Sequence, residues 1–214
     1  MKVILTGSNG QLGRELVSTK PSQIELIPTT RKELNLGDEN TCKNFIIQNK
    51  PDWIINAGAY TNVDKAEEET KIALSVNSKA PKIFAEVLKN QGGNLLQIST
   101  DFVFGGHQNF PYKTDVSKSP LSIYGLSKSI AEDKVVEILS ESDQVLILRT
   151  SWIMSTYGKN FAMKMLELHK NKKKIKVVFD QVGCPTSANK LAILCWKILA
   201  EKAFIKRLKS LNMP

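Results

Sequence analysis

The amino-terminal strand and turn constrain this chain more than any other stretch. Lys2–Thr6 is a short apolar run with the length and β-branched content of a buried strand. It runs directly into Gly7-Ser8-Asn9-Gly10-Gln11-Leu12-Gly13, and a helical pattern opens at Gln11. Glycine tolerates positive φ and lets other groups approach the backbone closely, so a diphosphate can lie against the helix N-terminus. The third glycine of the G-x-x-G-x-x-G spacing permits close helix–strand packing. In this strand–turn–helix context the spacing predicts a dinucleotide site rather than a simple tight turn.

Short apolar runs then alternate with longer helical patterns. Strands are predicted at 24–28, Trp53–Asn56, 95–99, 145–149 and 175–179. Helices are predicted at 39–48, 64–90 (two segments around Asn77–Pro81), 122–139, 160–168 and 187–200, with a polar, Gly- and Pro-containing loop at 105–120. This order predicts an α/β fold of the Rossmann type, a doubly wound parallel sheet with helices on both faces. Irregular pieces between 150 and 185 are expected to cap the carboxyl edge of the sheet.

Formal net charge is +9, which raises nucleic acid as a partner. The basic residues are scattered, apart from Lys170, Lys172, Lys173, Lys174 and Lys176 and a final Lys202/Lys206/Arg207/Lys209 group. No aromatics interleave with these clusters for base stacking, so a solvated surface or an anionic small ligand explains them better. The amino-terminal apolar run is too short for a signal peptide, and no stretch is long enough to span a bilayer. Three cysteines, Cys42, Cys184 and Cys195, match neither a disulfide framework nor a metal site. The expectation is a cytoplasmic protein with reduced thiols, no protein metal site, and no nucleic-acid or membrane partner.

Candidate chemistry gathers at the carboxyl ends of the strands, where ligands bind in such folds. After the second strand come Thr29-Thr30-Arg31-Lys32, with two cations and no carboxylate. A 2′-phosphate fits there, which favours NADPH and leaves NADH open. Strand three ends in Asn56-Ala57-Gly58-Ala59-Tyr60-Thr61, whose small residues admit a cofactor. Strand four ends in Ser99-Thr100-Asp101, and Thr100 is positioned to orient a substrate oxygen. Tyr124-Gly125-Leu126-Ser127-Lys128 opens a helix and puts phenol and ammonium on one face. A nearby ammonium is expected to lower the phenol pKa for acid–base work.

Together these blocks resemble the dTDP-4-dehydrorhamnose reductase family of the extended short-chain dehydrogenase/reductase superfamily. The resemblance extends through Asn62-Val63-Asp64-Lys65-Ala66-Glu67, Phe102-Val103-Phe104, Leu148-Arg149-Thr150-Ser151-Trp152 and Asp180-Gln181-x-Gly183-x-Pro185-Thr186. It implies NADPH-dependent reduction of the 4-keto group of dTDP-4-dehydro-L-rhamnose. Thr100, Tyr124 and Lys128 would be the catalytic set. Gly7, Gly10, Gln11, Leu12, Gly13, Arg31, Asn35, Leu36, Ala57, Gly58, Ala59, Tyr60, Tyr124 and Lys128 would line the cofactor site. Thr100, Asp101, Phe102 and Trp152 would meet the nucleotide-sugar. Some relatives use Mg²⁺ at a dimer contact. Glu15 matches one acidic position, but Asn189 stands where another carboxylate is expected, so Mg²⁺ and a homodimer stay open. Thr114 stands where the family often has a glutamate.

The family usually continues for several dozen residues and builds a substrate lobe from them. Residues 202–214 do not match that continuation, so a reduced, incomplete C-terminal lobe is expected. The expected division is a dinucleotide domain at 1–180, with a lobe insertion around 150–165, and a lobe remnant at 181–214. A non-catalytic NADP-binding regulatory protein and a related epimerase remain alternatives. A dehydratase is disfavoured because Phe102 occupies the place of its acidic residue.

Overall fold

The computed structural model describes residues 1–139, 143–171, 174–178 and 180–210, with side chains through 202. Five parallel strands form one sheet in the order β2-β1-β3-β4-β5: β1 (Lys2–Thr6), β2 (Glu25–Thr29), β3 (Trp53–Asn56), β4 (Asn94–Thr100) and β5 (Val145–Thr150). Successive side chains of a strand point to opposite faces, and both faces are covered. Val3, Leu5 and Ile55 meet α1 (Gln11–Ser18) and α8 (Ala188–Ser210) through Leu12, Leu16, Leu191, Cys195 and Trp196. Ile4, Ile54 and Leu95 meet α2 (Glu39–Asn49), α5 (Ala80–Gln91) and α6 (Ile123–Leu139) through Cys42, Ile46, Phe84, Leu88 and Val135. Burial on both faces is why the strands read as continuous apolar runs rather than as alternating ones.

The chain leaves β1 for β2 on one side and then crosses to β3 on the other. The connections after β1 and β3 therefore part at their carboxyl ends, and a crevice opens there. The glycine turn and residues 57–62 border it. No helix among the described residues is long and apolar enough to cross a membrane.

Three sequence expectations are corrected. The helical region at 64–90 is four pieces: α3 (Val63–Glu68), α4 (Thr70–Leu74), a π-helical turn at Ser75–Lys79, and α5. The last helix runs on to Ser210. The strand expected at 175–179 is not formed at 175–178, and Phe179 lies outside the described residues. Coverage explains this: a central parallel strand needs helices over both faces, yet Ile175, Val177 and Val178 are exposed to 37%, 53% and 63%.

The capping elements are a two-stranded ladder of β6 (Ile153–Met154) and β7 (Thr186–Ser187), and α7 (Phe161–Lys170). The segment from 181, expected as a lobe remnant, supplies β7 and then the core helix α8.

Candidate functional site

At the glycine turn, backbone touches backbone. Gly7 has φ +69°, and a Cβ on it would lie 2.6 Å from Gly58 Cα; one on Gly13 would lie 2.1 Å from the Gly7 carbonyl. No side chain fits at either position, so the turn stays flat against the crevice. Gly10 N donates to Gly7 O at 2.9 Å and takes the N-cap place of α1, which has no side-chain cap. The first N–H groups of α1 are thus left to an anion. The Leu12 side chain is core, so Leu12 offers this site its backbone. The Gln11 carbonyl oxygen, Oε1, accepts from Ser155 N (3.2 Å) and Asn160 Nδ2 (2.8 Å).

A row of buried polar side chains runs beneath the crevice. Thr6 Oγ1 donates to Asn56 Oδ1 (2.6 Å), Asn56 Nδ2 to Gln97 Oε1 (2.8 Å), and Gln97 Nε2 to Ile98 O (2.8 Å). Gly58 N donates to Thr6 Oγ1 at 2.9 Å, so the row also holds the strand-three loop. At its far end Lys128, 4% exposed, donates from Nζ to the same Ile98 carbonyl at 2.7 Å.

Tyr124, Thr100, Asp101 and Phe102 come together as expected. The Thr100 hydroxyl is near enough to the Tyr124 hydroxyl to influence its titration, Thr100 Oγ1 donates to Asp101 Oδ1 at 3.1 Å, and Phe102 meets the Tyr124 ring edge-on at 5.7 Å. The expectation of a lowered phenol pKa is overturned. Burial pushes the Tyr124 hydroxyl up, the Thr100 hydroxyl pulls it partly back, and the Asp101 charge raises it further. Lys128 is not among the groups that shift it; its ammonium donates to the Ile98 carbonyl. Burial brings Lys128 itself down to about 8, against the upward pull of Glu132.

That shift carries a stability prediction. A lysine with a depressed folded pKa penalises folding while it is charged. The penalty lifts between the folded value of about 8 and the ordinary 10.5, because there only the unfolded state holds the proton. Wild type should therefore gain in urea midpoint relative to Lys128→Met as pH rises through that window. Parallel midpoints would refute the buried ammonium.

The π-helical turn had no signal beyond the break read at Asn77–Pro81, yet it joins the two halves of the site. Asn77 accepts from Tyr60 N (2.8 Å) and donates to Tyr60 O and Ser127 Oγ (3.0 Å each). Ser127 lies between Tyr124 and Lys128, so this amide registers their helix against the strand-three loop. Ala57 packs on the α1/α8 side, and Ala59 is half-buried. The Tyr60 hydroxyl donates to Glu69 at 2.6 Å; this bond, with burial and the carboxylate charge, raises its pKa to about 12. Leu36 lies against Gly58, whose Cβ would come within 2.7 Å of it. Asn35 is exposed, with its Oδ1 accepting from Gly37 N.

Arg31 and Lys32 are exposed beyond β2. The sequence reading stopped one residue short of Glu33, whose carboxylate folds back to accept from Thr30 N (2.8 Å) and the Thr30 hydroxyl. The Thr-x-x-Glu spacing of a capping box was the available signal. Trp152 sits in the left-handed region (φ +41°) and is 40% exposed, with Phe161 at 6.4 Å. A bulky residue there costs about 1–3 kcal/mol and marks a site held by its surroundings.

A profile of the RmlD substrate binding domain matches residues 1–210. This chain belongs to the RmlD family. A dTDP-4-dehydrorhamnose reductase of Burkholderia thailandensis is 38% identical over 192 residues, 90% of this chain and 63% of that protein. The crystal structure of a dTDP-4-dehydrorhamnose reductase from Clostridium acetobutylicum superposes with a TM-score of 0.88 at 37% identity, covering 95% of this chain and 71% of that one. A Bacillus anthracis dTDP-4-dehydrorhamnose reductase solved in complex with NADP gives a TM-score of 0.87 at 34% identity, covering 93% and 70%. The chain thus spans somewhat under two thirds of the length of the first of these relatives.

This RmlD-family chain also has a charged joint that its sequence did not reveal. Glu132, 2% exposed, accepts from Arg149 Nε (3.0 Å), Arg149 NH2 (2.7 Å) and Ser99 Oγ (2.6 Å), with Lys118 Nζ at 3.5 Å. Arg149 also donates to Thr114 O and lies over the Phe104 ring. This joint ties the end of β4, beside Thr100, to α6, to β5 and to the 105–120 loop. At Thr114 the loop is held through the main chain, so the residue type there is free to depart from the family pattern.

Proposed function

We propose that this chain is an NADPH-dependent reductase acting in the cytoplasm on the 4-keto group of dTDP-4-dehydro-L-rhamnose, giving dTDP-L-rhamnose. The carrying observation is that Thr100, Tyr124 and the buried Lys128 gather at the carboxyl edge of the same sheet whose first strand runs into the bare glycine turn. The glycine turn and the uncapped α1 fit a diphosphate, and exposed Arg31 and Lys32 favour a 2′-phosphate. The Bacillus anthracis relative with NADP supports the same choice.

The bound dinucleotide supplies the hydride. The chain's own residues govern the proton and the orientation. Tyr124, with its pKa raised, is protonated across the working range, so it is a donor to the oxygen that gains charge at C4. Thr100 lies beside that hydroxyl; its own proton, given to Asp101 Oδ1 in the free site, would turn to the same oxygen as a second donor. Lys128 keeps a positive charge behind them below about pH 8 and favours developing negative charge in a water-poor setting. On this reading Asp101, Phe102 and Trp152 face the sugar, the sheet and its helices carry the cofactor, and the capping pieces at 153–170 and Thr186–Ser187 lie toward the substrate.

The test is a pair of measurements on the full chain. NADPH should bind, seen as a change in its fluorescence, and dTDP-4-dehydro-L-rhamnose should then accelerate its oxidation. Binding without substrate-dependent oxidation would reject the reductase reading.

A further inference from the structure

Glu15 lies one turn after Gln11 on α1 and is 8% exposed. Its Oε1 accepts from Ser155 Oγ at 3.1 Å, and its Oε2 accepts from Asn189 Nδ2 at 2.9 Å. Ser155 follows β6, and Asn189 is in the first turn of α8. One carboxylate therefore joins the dinucleotide helix, the capping segment and the last helix. Gln11 adds a parallel tie through Ser155 N and Asn160 Nδ2.

Some relatives use Mg²⁺ at a dimer contact made by acidic residues, and Glu15 matches one of those positions. The residues present do not fit it. Mg²⁺ takes six oxygens in near-octahedral array and is held mainly through carboxylates. Here there is one carboxylate, and each of its oxygens already accepts a hydrogen bond from the protein. Asn189 presents its NH₂ group; turned over, its carbonyl would face a carboxylate oxygen with no proton between them. Among the described residues, no group of three or more His, Cys, Asp or Glu is placed to hold a metal ion. Space is not the obstacle, since a cleft of about 300 Å³ opens beside Glu15, Ser155, Asn160 and Asn189.

We propose that Glu15, Ser155 and Asn189 form a cation-free clasp, in which two neutral donors satisfy the carboxylate where some relatives use a divalent ion. The proposal stands apart from the reductase reading, and its test involves no turnover.

The experiment is thermal unfolding of the full chain in millimolar MgCl₂ against EDTA. An ion present at a hundred times its Kd raises the Tm of a domain this size by roughly 5–10 °C. Wild type should show no such rise. Asn189→Glu places a second carboxylate opposite Glu15 at an exposed position, so it should melt lower in EDTA and regain its Tm in Mg²⁺. A wild-type rise of that size, abolished by Glu15→Gln, would overturn the clasp. An Asn189→Glu protein that melts alike in Mg²⁺ and EDTA would overturn it too, since the amide would then not be what keeps the ion out. A wild-type rise that survives Glu15→Gln places the ion elsewhere and leaves the clasp standing.

Discussion

Tyr124→Phe should lower kcat by about 10²- to 10⁴-fold, the usual worth of a positioned general acid, while NADPH affinity stays within about twofold. The substitution removes one oxygen and keeps the ring, so the edge-on contact with Phe102 is preserved. What is lost is the hydroxyl beside Thr100. The pH profile separates this role from mere packing. With the phenol raised above its ordinary value, Tyr124 does not titrate near neutrality. A basic limb near pH 8 in the wild type would belong to Lys128, whose value is about 8. Lys128→Met should remove that limb and lower the plateau, whereas Tyr124→Phe should lower the plateau without moving the limb. If Tyr124→Phe retains most of the wild-type rate, the phenol is not the proton donor, and Thr100 or solvent must be.

Local features were legible where they depend on neighbours in the chain. β1 and β3 fall where the apolar runs begin and end, because Gly7 and Pro51 punctuate them. The clustering of Thr100, Asp101 and Tyr124 also followed, since strand ends in a doubly wound sheet converge on one edge. What could not be read was non-local or competitive. Glu132 and Arg149 are 17 residues apart, with no periodicity linking them. The π-helical turn at Ser75–Lys79 exists because Asn77 must reach both Tyr60 and Ser127, a demand set by packing. The phenol pKa was misread because the spacing places Lys128 on the right face but does not reveal how deeply the Tyr124 hydroxyl is buried or that Asp101 faces it. The false strand at 175–178 is the converse error: apolar content was present, but the covering helices were not.

Arg149→Met should be the most destabilising single change among the polar residues of the site. Burial alone pushes the Glu132 carboxyl up. Hydrogen bonds from Arg149 and Ser99, with the charges of Arg149 and Lys118, more than offset this and hold it below the usual carboxylate range. Removing one partner of a buried pair leaves the other charge uncompensated, at a cost of about 3–5 kcal/mol. For a domain this size that is roughly 6–20 °C in Tm. Lys118, at 3.5 Å from Glu132 and drawn to Asp133 at 2.6 Å, cannot replace the two-pronged Arg149 contact, so Lys118→Met should cost less than Arg149→Met. The sign with pH follows from the same pair. A depressed carboxylate stabilises the fold above its unfolded pKa, and that contribution is lost as acidification approaches the folded value. The gap between wild type and Arg149→Met should accordingly be widest near neutrality and close in acid. The site would register the change as well, because Ser99 precedes Thr100 and bonds the same carboxylate. A double variant, Glu132→Leu with Arg149→Met, removes both charges and should recover much of the lost Tm. If Arg149→Met alone melts within about 2 °C of wild type, Glu132 is not the uncompensated charge that this geometry requires.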